Sequence, residues 1–273
     1  MKIIVLTDDT YGDENILAEH GLCMYIESAG NRILADTGAT GIFLDNAERL
    51  SADISSVDTV FLSHGHYDHT GGLARFLSVN SKARILFQPG ATDDFYSIRD
   101  DGPHYIGSDK NLFESRHLMP TEGSYAINES VSVFTGISGR RGFSSSNLRL
   151  KRMQNGIRVQ DDFSHEQYLV VEEGGKTYLF SGCAHNGILN ILDRFRELYG
   201  KNPDYVFSGF HFMKSSAYTA EEEKNITDTA RELKETGITF FTCHCTSFPA
   251  YWLMKPIMGE NLHILCSGFI VNL

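Results

Sequence analysis

The chain has 273 residues, 41% of them hydrophobic and 22% charged, enough apolar material to fill a sizeable core. Lysine and arginine number 24 against 35 aspartates and glutamates, and the resulting net charge of −11 argues against nucleic acid or an anionic membrane surface as the main partner. Six prolines and 25 glycines give no collagen-like or disordered bias, and no run approaches the roughly 18 apolar residues of a membrane span.

Lys2–Leu6 reads as a first strand, because its apolar run is too short for a signal peptide and Asp8 and Asp9 follow it. Further β-rich runs are expected at Cys23–Glu27, Ile33–Ala35, Val57–Leu62 and Arg84–Phe87, with short helices over Gly41–Leu50 and Gly72–Leu77. The stretch 89–162, rich in Gly, Ser, Asp and Arg, reads as long loops around a rim, crossed by one strand at Val131–Thr135. Later strands are expected at Leu169–Glu172, Tyr178–Phe180, Tyr205–Phe207, Thr239–Thr242 and Leu262–Ile264. Ile188, Ile191, Leu192, Phe195 and Leu198 recur at helical spacing up to Gly200, and Thr219 with Glu222 forms a capping box for a helix that stops at Gly237. Turn residues at 28–31 and 173–176 join neighbouring strands. This interleaving predicts two sheets flanked by helices in one domain over residues 1–273. Five cysteines, an odd number without framework spacing, point to a reducing compartment, with the cytoplasm as default.

The chemistry concentrates in Ser63-His64-Gly65-His66-Tyr67-Asp68-His69-Thr70-Gly71-Gly72, where an apolar strand delivers four donors into a turn. His64 and His66 alternate along an extended backbone and face one point, while Asp68 and His69 turn towards a second. Imidazoles and a carboxylate clustered without a cation would leave poorly satisfied groups, so two metals sharing this loop is the better reading. Gly65, Gly71 and Gly72 are expected to relax the backbone of the turn.

That segment resembles the signature of the metallo-β-lactamase superfamily. The resemblance implies an α/β fold, the αββα four-layer sandwich, with a two-metal site at one edge of the paired sheets. Glu19-His20-Gly21-Leu22, Asp36-Thr37-Gly38, Gly182-Cys183-Ala184-His185, Gly209-Phe210-His211 and His244-Cys245-Thr246 are similar to one branch of it. That branch is named after a dihydropterin ribofuranosylaminobenzene-phosphate synthase of the methanopterin pathway and includes bacterial metal-dependent hydrolases. Carried over, His64, His66 and His185 hold a first metal, and Asp68, His69 and His244 a second. The chain departs where most of the superfamily has a bridging aspartate, since Cys183 stands there. Either Cys183 ligates, or hydroxide and solvent alone form the bridge, and the second is preferred. The third-motif histidine has its nearest counterpart in Ser164-His165-Glu166-Gln167, making Glu166 an extra ligand or a support behind the ligands.

Asp36 is expected to accept the free N–H of a ligand histidine. His211 is a candidate to face a substrate oxyanion, act as general acid or satisfy a loop carbonyl, with His20 in a weaker similar role, and Asp68 is also assigned to catalysis. Cys243 and Cys245, flanking His244 on a strand, are expected to pack in the core. Arg140 and Arg141 read as solvated loop charges more readily than as an anion clamp, and Phe143, Tyr168, Phe212, Tyr251 and Trp252 as covers of the core edge.

Two divalent ions, zinc foremost with iron or manganese as alternatives, lower the pKa of a shared water and polarise a carbonyl or phosphoryl oxygen. The expected activity is hydrolysis of a small anionic ester, thioester, amide or phosphoester metabolite. One alternative is condensation of a dihydropterin with a phosphoribosylated aminobenzoate, and another is a non-catalytic sensor. Oxygen or nitric oxide reduction at two irons is disfavoured, because those relatives have Glu where this chain has His66 and carry a flavin domain.

Overall fold

The computed structural model describes residues 1–114 and 117–273. One seven-stranded sheet runs, edge to edge, Ile270–Asn272, Lys2–Thr7, Cys23–Ser28, Asn31–Ala35, Thr59–Phe61, Arg84–Phe87 and Leu118–Pro120. A second runs Leu262–Ile264, Thr239–Thr242, Tyr205–Ser208, Lys176–Phe180, Tyr168–Glu173, Val131–Phe134 and Tyr125–Ala126. Each sheet is antiparallel in one half and parallel in the other.

Alternation along the strands explains the layering, because both faces are apolar. Ile3, Val5, Met24 and Ile26 meet Val131, Val133, Leu169, Val171 and Phe180 between the sheets. Their neighbours Ile4, Leu6, Cys23 and Tyr25 face outward onto Phe43, Ala47 and Phe76 of the helices Ile42–Arg49 and Leu73–Val79. The second sheet is covered in the same way by Ile188–Tyr199, Ala220–Glu235 and Phe248–Met258. The result is the αββα sandwich expected from sequence. The Thr219–Glu222 capping box forms, and Gly200 closes the preceding helix in a left-handed conformation. No helix among the described residues is long and apolar enough to cross a membrane.

Two expectations need correction. The stretch 89–162 is more than loops: Ile157–Gln160, Leu150–Gln154, Phe95–Arg99 and Gly102–Tyr105 form a four-stranded antiparallel sheet over the site edge. Gly65, Gly71 and Gly72 do not serve a left-handed backbone either, since Gly71 has φ −65° and Gly72 φ −78°. They permit close approach. A Cβ on Gly71 would lie 2.0 Å from the Ala39 carbonyl oxygen, one on Gly72 2.0 Å from that of Thr37, and one on Gly65 2.3 Å from that of Ala91. The contacts of Gly71 and Gly72 pin the 63–72 turn to the loop after Ala35, and that of Gly65 pins it to the turn Pro89–Thr92. Gly72→Ala therefore lowers stability by roughly 3 kcal/mol, the upper end of ordinary overpacking; a urea midpoint equal to that of the wild type would refute the close-approach account.

Candidate metal centre

In the parallel halves of the sheets the strand C-termini line up at one edge, where a ligand crevice is expected. Thr59–Phe61 leads to His64, Lys176–Phe180 to Cys183 and His185, Tyr205–Ser208 to His211, and Thr239–Thr242 to His244. Several of these exits turn sharply through left-handed backbone: Asp36 has φ 60°, Ala184 φ 54°, His211 φ 49° and His244 φ 44°. Such non-glycine conformations cost on the order of 1–3 kcal/mol each and persist only where the surroundings enforce them.

His64, His66, His69, His185 and His244 are all buried and gather at this edge. His64 Nε2 lies 3.1 Å from His66 Nδ1, and the rings of His64 and His66 each stand 4.9 Å from that of His185. On the other side, Asp68 Oδ2 is 3.2 Å from His244 Nε2 and 3.8 Å from His69 Nε2. Donor atoms of His64, Cys183 and His185 lie within 4.8 Å of one another, as do those of His69, Cys183 and His244.

The outward nitrogens are fixed by acceptors. His64 Nδ1 donates to Ser63 Oγ at 2.9 Å, His69 Nδ1 to Asp36 Oδ2 at 2.7 Å, His185 Nδ1 to Asn147 Oδ1 at 2.8 Å and His244 Nδ1 to Asp9 Oδ1 at 2.5 Å. For His64, His69 and His185 the bond selects the tautomer whose other nitrogen presents a lone pair inward, and for His244 it leaves Nε2 as the nitrogen facing Asp68. Asp36 also accepts the Ser63 backbone N–H at 2.7 Å and its hydroxyl at 2.8 Å, so it supports two ligand histidines at once.

The electrostatics match. Burial, with the neighbouring imidazoles, holds His64 and His185 well below the ordinary histidine pKa and pushes His66 down to about 3, so these rings are neutral at pH 7. Burial disfavours charge on His244 too, but its hydrogen bonds to Asp68 and Asp9 prevail and hold it well above the ordinary value. Burial likewise works against the Asp68 carboxylate, yet His69 and His244 keep it ionised. His66 Nε2 and His185 Nε2 are both buried with no hydrogen-bond partner among the described residues. Neutral imidazoles, two of them with an orphaned nitrogen, and a carboxylate opposite them form a donor set that fits divalent cations.

The remaining candidates divide between supporting the donors and lining the site. Glu166 is spent on structure: its oxygens accept the backbone N–H groups of His185 at 2.6 Å and Asn186 at 2.9 Å, the Asn186 amide and the Tyr168 hydroxyl, which leaves it behind the ligands. His165 accepts the Gly65 N–H at 3.1 Å and donates to Asp161 at 3.1 Å, so both of its ring nitrogens are engaged. Cys245 does not pack away from the site. The strand ends at Thr242, the backbone reverses at His244 and Cys245 Sγ joins Cys183 and His211, whereas Cys243 does pack between the sheets. Arg141 is tied to Asp193 and Glu232, and Arg140 to backbone oxygens of Gly139 and Asp162. Tyr168, Phe212 and Tyr251 belong to the core, Phe143 packs on Phe163, and Trp252 is exposed. His20 is half exposed at the mouth, 3.1 Å from Asp9 and 3.5 Å from Asp68. His211 stands over His185 with ring centroids 4.0 Å apart, its Nδ1 buried without a partner among the described residues. Asp8, Asp9, Asn147 and Asp161 were not singled out; the carboxylates closing Lys2–Thr7 were the one sequence signal.

The family model for the metallo-beta-lactamase superfamily matches residues 17–227. The chain belongs to that superfamily. A metal-dependent hydrolase of the beta-lactamase superfamily, Tm1679, superposes with TM-score 0.84 at 30% identity, covering 100% of this chain and 99% of that one. The 7,8-dihydropterin-6-methyl-4-(beta-D-ribofuranosyl)-aminobenzene-5'-phosphate synthase of Methanocaldococcus jannaschii is 27% identical over 100% of this chain and 96% of its own length. An uncharacterized protein of the same organism is 28% identical over 91% of both chains. Superfamily membership and the clustered donors support metal binding and metal-dependent hydrolysis as the broad activity.

Proposed function

We propose that this chain is a two-metal hydrolase of a small anionic ester, thioester or phosphoester, with zinc the foremost metal and iron or manganese as alternatives. The observation that carries the reading is the convergence of two donor groups. His64, His66 and His185 form one, and Asp68, His69 and His244 form the other, with the outer nitrogens of His64, His69, His185 and His244 each held by an acceptor. Divalent cations held there supply a water acidified toward neutrality and a Lewis acid for a carbonyl or phosphoryl oxygen.

The chain's own residues account for the rest. The centre opens into a cleft of about 790 Å³ whose polar lining mixes Arg99, Arg149 and Lys214 with Asp100 and Glu222, Lys214 being tied to Glu222 at 2.7 Å. Arg99 and Arg149 are the cations of that wall without an ion pair among the described residues, and they are the groups that would meet an anionic small molecule. His211 lines the same cleft beside His185 and is positioned to donate a proton to a leaving group, while Asp68 neutralises and orients His244.

Protein prepared without chelator is expected to carry two metals per chain by elemental analysis and to hydrolyse at least one member of an ester, thioester and phosphodiester panel. Turnover should cease on chelation. Fewer than one metal per chain, or chelator-insensitive turnover, overturns the reading. A second reading, carbon–carbon bond formation on a phosphoribosylated substrate, draws on the 27% identical synthase; condensation without hydrolysis in the same assays favours it. Ligand binding with no metal-dependent turnover favours a sensor.

A further inference from the structure

Cys183 is the one donor common to the two groups. Its Sγ lies within 4.8 Å of the donor atoms of His64 and His185 and equally of those of His69 and His244, and it stands 3.1 Å from His69 Nε2. Donors sharing one tetrahedral zinc are about 3–4 Å apart, given metal–nitrogen and metal–sulfur distances near 2.0 and 2.3 Å. The side chain is buried, and the backbone on either side is left-handed, with φ 59° at Gly182 and 54° at Ala184. Gly182 is obligatory, since a Cβ there would lie 2.3 Å from Ser63 Oγ. The strained turn thus aims a sulfur between the two donor groups.

Cys245 explains why it is Cys183 that is free to bind. Cys245 Sγ accepts the His211 backbone N–H at 3.3 Å and donates to the Cys183 carbonyl at 3.5 Å, so it is engaged with backbone and braces the turn from behind. Gly209 makes room for it, as a Cβ there would fall 2.4 Å from that sulfur. Cys183 Sγ has no comparable backbone bond among the described residues; its contacts are the inward nitrogen of His69 on one side and the Cys245 sulfur on the other.

We propose that Cys183 is a thiolate donor shared by the two metal groups, in place of the sulfur-free bridge expected from sequence, and that it biases the centre toward thiophilic ions such as zinc over manganese. The inference rests on the two-metal reading above. Binding displaces the thiol proton to solvent, and the soft sulfur then favours zinc or cobalt over the oxygen-preferring manganese.

The test is cobalt substitution of the full chain, read by metal content and near-ultraviolet absorption. Two cobalt ions per chain with an intense thiolate-to-cobalt charge-transfer band are expected. The band should be retained in Cys245→Ser and lost in Cys183→Ser and Cys183→Asp. In competition loading, Cys183→Asp should shift the zinc-to-manganese preference toward manganese by roughly tenfold or more. Two cobalt ions in the wild type without the band overturn the thiolate and leave the two-metal reading intact, a result that needs no variant to fold. A band that survives in Cys183→Ser or disappears in Cys245→Ser also overturns it. Fewer than one cobalt per chain overturns both.

Discussion

Asp68→Asn is expected to lower metal-dependent turnover by on the order of a thousandfold, the several kcal/mol a divalent cation contributes to such a reaction, while the chain stays folded. Asp68 lies in the single helical turn Tyr67–Thr70 that follows His66, and its buried carboxylate faces His244 at 3.2 Å, His20 at 3.5 Å and His69 at 3.8 Å. It is the only carboxylate reaching inward among the residues assigned to the two groups. An asparagine fills the same volume and keeps the helical turn, but it removes the negative charge that would offset a cation in the second group. On the two-metal reading that group is then left without a carboxylate. Metal content should fall below two per chain and far-ultraviolet circular dichroism should not change. Full activity with two metals retained would show that Asp68 is not a ligand.

The same substitution has a consequence without metal. His244 is held charged by Asp68 and Asp9, and a histidine whose folded pKa is raised contributes stability at low pH that is lost as the pH climbs through that raised value. Removing Asp68 brings the His244 pKa down, so this contribution is lost at a lower pH in Asp68→Asn than in the wild type. The effect belongs to the metal-free chain, because a metal on Nε2 replaces the proton.

Why the turn at 63–72 was legible and its supports were not follows from distance along the chain. His64, His66, Asp68 and His69 lie within one short segment, so spacing alone reveals them. Asp9 and His244 are 235 residues apart and meet only once the two sheets are packed, and Asn147 and His185, 38 apart, meet only once the rim segment lies against the second sheet. The central strands were visible as apolar runs because both of their faces are buried. The rim sheet was missed for the opposite reason: Phe95–Arg99 and Leu150–Gln154 grade from a buried first residue to an exposed last one and carry no apolar run. The helix Phe248–Met258 is apolar nearly all round and contains Pro256, so it shows neither helical periodicity nor an unbroken helix-forming composition. Cys245 was misassigned because alternation was carried past Thr242, where the strand has already ended. The glycines of the turn were recognised, but a sequence does not distinguish a glycine needed for its φ from one needed for the space beside it.

Asp36→Ala should weaken metal affinity by roughly tenfold to a hundredfold, the range seen when a ligand histidine loses its outer partner, and lower the stability of the metal-free chain. Asp36 closes the strand Asn31–Ala35 at φ 60° and accepts three hydrogen bonds, two from Ser63 and one from His69. Alanine leaves the buried Ser63 N–H and His69 Nδ1–H without acceptors, at about 1–3 kcal/mol each, and places a Cβ without a compensating side-chain bond in left-handed backbone, at about 1–2 kcal/mol. Partial relaxation makes the expected loss on the order of 4 kcal/mol, readable as a lower urea midpoint with an unchanged slope. Asp36→Asn separates the causes. Asparagine tolerates the left-handed backbone and can still accept the Ser63 N–H, so it should recover much of the stability. Its amide nitrogen, standing where Oδ2 was, accepts from neither the Ser63 hydroxyl nor His69 Nδ1, so metal affinity should stay depressed. Zinc competition against a chromophoric chelator measures the second quantity independently of any substrate. If Asp36→Ala binds zinc as tightly as the wild type, the carboxylate serves the fold alone, and the tautomer of His69 must be fixed by something other than Asp36.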